Sequence, residues 1–165
     1  MFDLVELIYE FQLLRAKSES LGIPLTDDER AHLIGLARML DSGGGADPIG
    51  RAFVRVGTRG PVQFTAPPGF GLGQLANLGG GGVAIATSRP LAPGSRTVLR
   101  LVDPTGNREF VFPCRVVWRR TGRDACMGVA FDGVPLRLAF GLPRGGEWRR
   151  TIRLGADVDD SPARA

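Results

Sequence analysis

The hydrophobic period of this chain changes once, across the glycine-rich stretch Ser42–Gly50, and the change dictates different structures on its two sides. Before it, Leu4, Leu7, Ile8, Phe11 and Leu14 recur at three- and four-residue steps, as do Leu33, Leu36, Ala37 and Leu40. That spacing gathers side chains on one face of a helix, which predicts helices over roughly 2–20 and from Thr26 to about 41. Gly22-Ile23-Pro24 breaks the first, and Thr26-Asp27-Asp28-Glu29 reads as a capping box that starts the second. Two helices joined by a short turn form an antiparallel hairpin with too little core to stand alone. Its stripe of Leu4, Leu7, Phe11, Leu14, Leu33, Leu36 and Leu40 must therefore dock on the rest of the chain or pair with another copy, a homodimer through these helices.

Beyond Gly50 the period is two. Val62 and Phe64, then Leu72 and Leu75, suggest strands separated by Pro67-Pro68-Gly69. Further strands follow at Val83–Thr87 and Thr97–Val102, with turns at Arg89–Gly94 and Asp103–Asn107. Phe110, Phe112, Cys114, Val116 and Trp118 alternate along the longest strand, with Arg115 and Arg119 on its other face, and Cys126–Phe131 closes the series. Short antiparallel strands at this spacing imply a mainly β protein, a small barrel of six or seven strands over about 51–132, since closure removes vulnerable edges. The expected organisation is a helical hairpin over 1–42, a linker over 43–50, a barrel domain over 51–140 and a tail over 141–165 with a mobile acidic end.

Bulk properties exclude several functions. No run reaches the ~18 apolar residues of a membrane span, and the acidic, amphipathic start is the wrong character for a signal peptide, so the expected setting is bacterial and cytoplasmic without membrane insertion. Residues 1–47 carry 4 basic and 9 acidic groups, whereas residues 48–165 carry 17 and 8, so an acidic part precedes a basic one. Lys17 is the only lysine among 21 basic residues, a bias that GC-rich codon usage explains. An aromatic share of 7% without interleaved arginines argues against a stacking platform for nucleic acid. Cys114 and Cys126 have neither disulfide-framework nor metal spacing, and the lone His32 reads as a helix-surface residue. No nucleophile–base pair or carboxylate dyad stands out, which argues against an enzyme.

One constellation joins charge to a backbone loop: Arg51 and Arg55, followed by Asn77-Leu78-Gly79-Gly80-Gly81-Gly82. Arginine grips phosphate or a guanine edge with paired hydrogen bonds, and glycine lets backbone amides approach a ligand. The plainer alternatives are solvated basic residues entering a strand and a tight bend without a ligand. Arg-x-x-x-Arg at Arg51–Arg55, the Asn77–Gly82 run, Val83-Ala84-Ile85, the turn Pro90–Gly94, and Val117-Trp118 before Gly128–Phe131 together resemble the PilZ domain, a bacterial receptor for cyclic di-GMP. The resemblance implies a non-catalytic signalling adaptor with no cofactor, in which Arg51 and Arg55 hold phosphates and a guanine edge, Asn77 meets the other guanine edge and Gly82 forms the turn. Gly79 stands where that family has serine. The absent hydroxyl forfeits a hydrogen bond worth about 1.5–3 kcal/mol, or roughly 10- to 150-fold in affinity. Two functions follow: a cyclic di-GMP effector that alters contact with a partner protein, in motility for example, or a degenerate module that binds protein without the ligand.

Overall fold

Two helices precede eight strands in a computed structural model that describes residues 2–41, 53, 55–103, 107–140 and 150–151. Helix α1 spans Phe2–Glu19 and α2 spans Asp27–Asp41. The capping box forms as its sequence requires: the Glu29 amide donates to Thr26 Oγ1 at 3.2 Å and the Thr26 amide to Glu29 Oε2 at 2.9 Å. Lys17 Nζ on α1 donates to the same carboxylate at 2.5 Å, tying the helices together. These bonds, from Lys17 first and the Thr26 backbone next, hold the Glu29 carboxyl below its usual range. His32 lies on the helix surface, 3.5 Å from Glu10.

The strands are β1 Pro61–Ala66, β2 Gly69–Gly79, β3 Gly82–Ala86, β4 Arg96–Val102, β5 Arg108–Arg120, β6 Cys126–Phe131, β7 Leu136–Phe140 and β8 Arg150–Thr151. Their order is β4-β1-β2-β3-β6-β5, and β5 pairs back onto β4, so six antiparallel strands close a barrel. Phe64, Leu75, Ile85, Leu99, Phe110, Phe112 and Met127 fill it, all essentially inaccessible. β7 extends the sheet on β5, and β8 pairs with β7, strands that a short Leu-Arg-Leu segment and a two-residue bridge do not announce. Cys114 and Cys126 are free and buried, facing Phe131 and Arg120 respectively, and burial pushes the Cys114 thiol far up. No described helix is long and apolar enough to cross a membrane. The linker at 43–50 and the acidic tail end lie outside the described residues.

Two expectations need correction. Trp118 does not continue the interior stripe, because a bulge between Val116 and Trp118 reverses the pleat and turns the indole outward. On α1 the fully buried residues are Val5, Ile8, Phe11, Gln12 and Ala16, while Leu4, Leu7 and Leu14 are only partly covered. The helix packs against both α2 and the barrel, so it is covered on two sides, and the barrel-facing row contains a polar residue that an apolar-only pattern overlooks.

The hairpin docks on the barrel. Glu6 pairs with Arg108 at 3.0 Å and with Arg137, while Arg108 also reaches Asp103 at 3.3 Å. Tyr9 meets Phe110 edge-on at 5.8 Å between ring centroids, and Phe11 meets Phe53 at 5.1 Å. Partly exposed ion pairs are worth about 0–1 kcal/mol, whereas burying Val5, Ile8 and Phe11 contributes about 1.5–3 kcal/mol each. Apolar burial therefore dominates the docking, and the charges set its orientation.

Candidate functional site

The glycine run is the β2–β3 turn. Gly79 pairs with Gly82, leaving Gly80 and Gly81 as the two-residue connection. A second bulge, at Ala76 between Leu75 and Asn77, resets the pleat so that Leu75 and Leu78 both point inward. Asn77 and Gly79 consequently share the outer face. Gly79 is not among the left-handed glycines, which are Gly22, Gly94, Gly122 and Gly133, so its backbone accepts a side chain. Gly82 has a different reason to be glycine: a Cβ there would lie 2.1 Å from the Val129 carbonyl oxygen on β6.

Register gathers the site. Val56 and Leu78 exchange backbone hydrogen bonds of 2.9 and 3.0 Å, so Arg55, one residue away, stands level with Gly79. One cross-strand row then runs Arg55, Gly79, Gly82, Ala130, Arg115, and the next runs Asn77, Ala84, Gly128, Trp118. Small residues line the middle of both rows. A Cβ on Gly128 would meet Trp118 Nε1 at 2.1 Å, so the indole lies directly on the sheet there. The result is a shallow face with arginine at one margin and Trp118 and Arg115 at the other.

The polar groups on this face differ in availability. Arg55 is exposed and has no carboxylate partner among the described residues. Arg115 is committed to Asp132, which it reaches with two bonds of 3.0 and 2.8 Å. Asn77 Oδ1 is buried with no hydrogen-bond donor, a state that costs about 1–3 kcal/mol unless a partner arrives. Arg51 lies outside the described residues. Of the expected site residues, Asn77, Gly79 and Gly82 come together on the paired strands β2 and β3, and the isolated bridge at Val56 sets Arg55 level with Gly79.

The turn is also held from the helical side. Gln12 Nε2 on α1 donates to the Gly80 carbonyl at 2.5 Å across a buried contact. A Cβ at Gly80 would lie 2.9 Å from the Phe53 ring and 3.2 Å from Leu40 of α2. Phe53, centred between the two arginine positions, thus touches the turn and α1 at once. Sequence reasoning missed Trp118, Gln12 and Phe53. The Val117-Trp118 doublet, which breaks the alternation of β5, was the available signal for the first. Nothing in the local pattern marked the other two. Among the described residues, no group of three or more His, Cys, Asp or Glu is placed to hold a metal ion.

The sequence model of the PilZ domain matches residues 50–139. The crystal structure of the PilZ domain of CeSA from a cellulose-synthesizing bacterium is 24% identical, with a TM-score of 0.40, over 48% of this chain and 80% of that one. None of the curated proteins matches.

Proposed function

The chain belongs to the PilZ domain family, and from that premise we propose that it is a non-catalytic cyclic di-GMP effector whose ligand alters contact between the helical hairpin, the barrel and a partner protein. The observation that carries the reading is that an Arg55 guanidinium with no carboxylate partner among the described residues and the orphaned Asn77 Oδ1 stand on neighbouring rows of one small-residue face. A phosphate diester suits the first, through charge-assisted bonds. The donor-bearing edge of guanine suits the second, and Trp118 offers an aromatic surface to a base. Arg51, if it joins Arg55, would hold the same anion. Gly82 keeps the backbone low beneath the ligand.

Phe53 supplies a route for output, since it sits within the arginine segment and packs on both Gly80 and Phe11. Ligand that draws the arginine segment onto the face must bias that contact, provided it binds the two arrangements unequally. Equilibrium binding of fluorescent cyclic di-GMP to wild type and Asn77→Ala tests the assignment. Saturable binding that weakens at least several-fold in the variant supports it; equal binding removes Asn77 from the site.

Gly79 favours a second reading, a module that has lost the ligand and binds protein only. It lacks the hydroxyl that the family's serine supplies, at a cost of about 1.5–3 kcal/mol. No binding by either protein in the same titration selects this reading.

A further inference from the structure

The barrel mouth opposite α1 carries exposed apolar residues beside a cleft. It is formed by the β1–β2 turn, the loop 87–95 and the turn 121–125, and the Thr87 amide joins the last two by donating to the Ala125 carbonyl at 3.1 Å. Phe70 and Leu72, on the outer face of β2, are 77% and 71% exposed. Beside them is a cleft of about 460 Å³, walled by Phe64, Ala66, Pro67, Phe70, Arg89 and Leu91.

Beside the cleft, no backbone hydrogen bond reaches Phe70 on the β3 side among the described residues. Successive strand residues point their amide and carbonyl to alternate edges. The Leu75 amide bonds to Gly60 on the β1 side, whereas the Leu72 carbonyl accepts from Thr87 Oγ1 at 3.0 Å on the β3 side. Phe70, two residues before Leu72, therefore presents both backbone groups to the β3 side. β3 has already ended at Ala86, and the register of β2 with β3 stops at Gln74. Natural edges of this kind are guarded by charge, proline or a bulge, yet this one carries exposed Phe70 and Leu72.

Charge defines the partner. Arg89, Arg96, Arg119, Arg120 and Arg123 are exposed around this mouth, with Asp124 the nearby acid. None of Arg89, Arg96 and Arg123 has a carboxylate partner among the described residues. We infer that the Phe70–Leu72 edge and the cleft behind it form a docking site for an extended acidic segment of a partner protein. Such a segment adds a strand beside Phe70, places an apolar side chain in the cleft and meets the arginines with its carboxylates. A flat membrane surface needs neither the concave cleft nor the free strand edge, and the mouth has no aromatic ladder suited to single-stranded nucleic acid.

The test uses the full chain and a fluorescein-labelled peptide of alternating aspartate and apolar residues, Asp-Leu-Asp-Phe-Asp-Val-Asp, read by anisotropy. Saturable binding is expected, weakened about 10-fold or more by Phe70→Ser and by Arg89→Glu. Ile34→Ser, on the exposed face of α2, should bind like wild type, and circular dichroism confirms that each variant is folded. The same peptide with lysine for aspartate should not bind. Absence of saturable binding, equal affinity in the Phe70 and Arg89 variants, or tighter association with phosphatidylglycerol vesicles or oligothymidine than with the peptide overturns the proposal.

Discussion

Replacing Gln12 by leucine removes the side-chain bond that, among the described residues, ties α1 to the β2–β3 turn, while keeping side-chain volume similar. In the native protein Gln12 is 4% exposed, and its Nε2 donates to the Gly80 carbonyl at 2.5 Å. No backbone donor reaches that carbonyl among the described residues. A buried acceptor left without a donor costs about 1–3 kcal/mol, and burying leucine instead of an amide recovers part of this. The expected net loss is about 1–2 kcal/mol, which lowers the melting temperature by roughly 2–8 °C in a domain of this size. Because the loss is local to the docked helix, amide exchange of Ile8 and Phe11 should accelerate about 5- to 30-fold if it proceeds through undocking of α1. Hydrogen exchange followed by mass spectrometry, run beside a thermal melt, measures both. A variant with unchanged melting temperature and unchanged α1 protection would refute the idea that this bond fastens the helix to the turn.

Gly79→Ser should raise affinity for cyclic di-GMP by about 10-fold or more in a calorimetric titration, from the ~1.5–3 kcal/mol of the restored bond; its backbone lies outside the left-handed region, so the substitution adds no backbone strain, and a thermal melt run alongside reads whether this buried position accommodates the larger side chain. Gly128→Ala drives a methyl into the Trp118 indole, which a Cβ would approach to 2.1 Å, and should cost about 1–3 kcal/mol with a shift in tryptophan emission. Phe11→Ala should cost about 3–5 kcal/mol in denaturant unfolding, since the ring is buried against Phe53. Glu29 has a lowered folded-state pKa, held down by Lys17 first and Thr26 next, so its contribution is present above the unfolded pKa and is lost as pH falls through the folded value. Melting in Glu29→Gln should therefore be less acid-sensitive than in wild type across that interval.

The sequence was most informative where one local rule decided the outcome. Thr26 and Glu29 announce their helix start because a capping box involves only four residues and their own backbone. The period change at the linker separates helices from strands because each periodicity reflects a one-sided core. The bulges at Ala76 and Val117 were less visible, since an extra residue reverses a strand's faces without altering its composition. That reversal puts Trp118 on the outer face, where simple alternation along β5 predicts the interior. It also places Asn77 and Trp118 at the two ends of one row, a relationship set by register across four strands. Gln12 and Phe53 were illegible for a simpler reason: their partners, Gly80 and Phe11, are distant in sequence, and neither contact leaves a periodic trace.

Isothermal titration calorimetry of cyclic di-GMP with wild type and Arg55→Ala tests the central claim most directly. Arg55 is an exposed cation level with Gly79 that has no carboxylate partner among the described residues, and its removal leaves the barrel core untouched. The account predicts saturable heat for wild type and affinity lower by about 10-fold or more in the variant, as expected for loss of a charge-assisted bond to phosphate. Absence of saturable heat in wild type, or equal affinity in the two proteins, would contradict it.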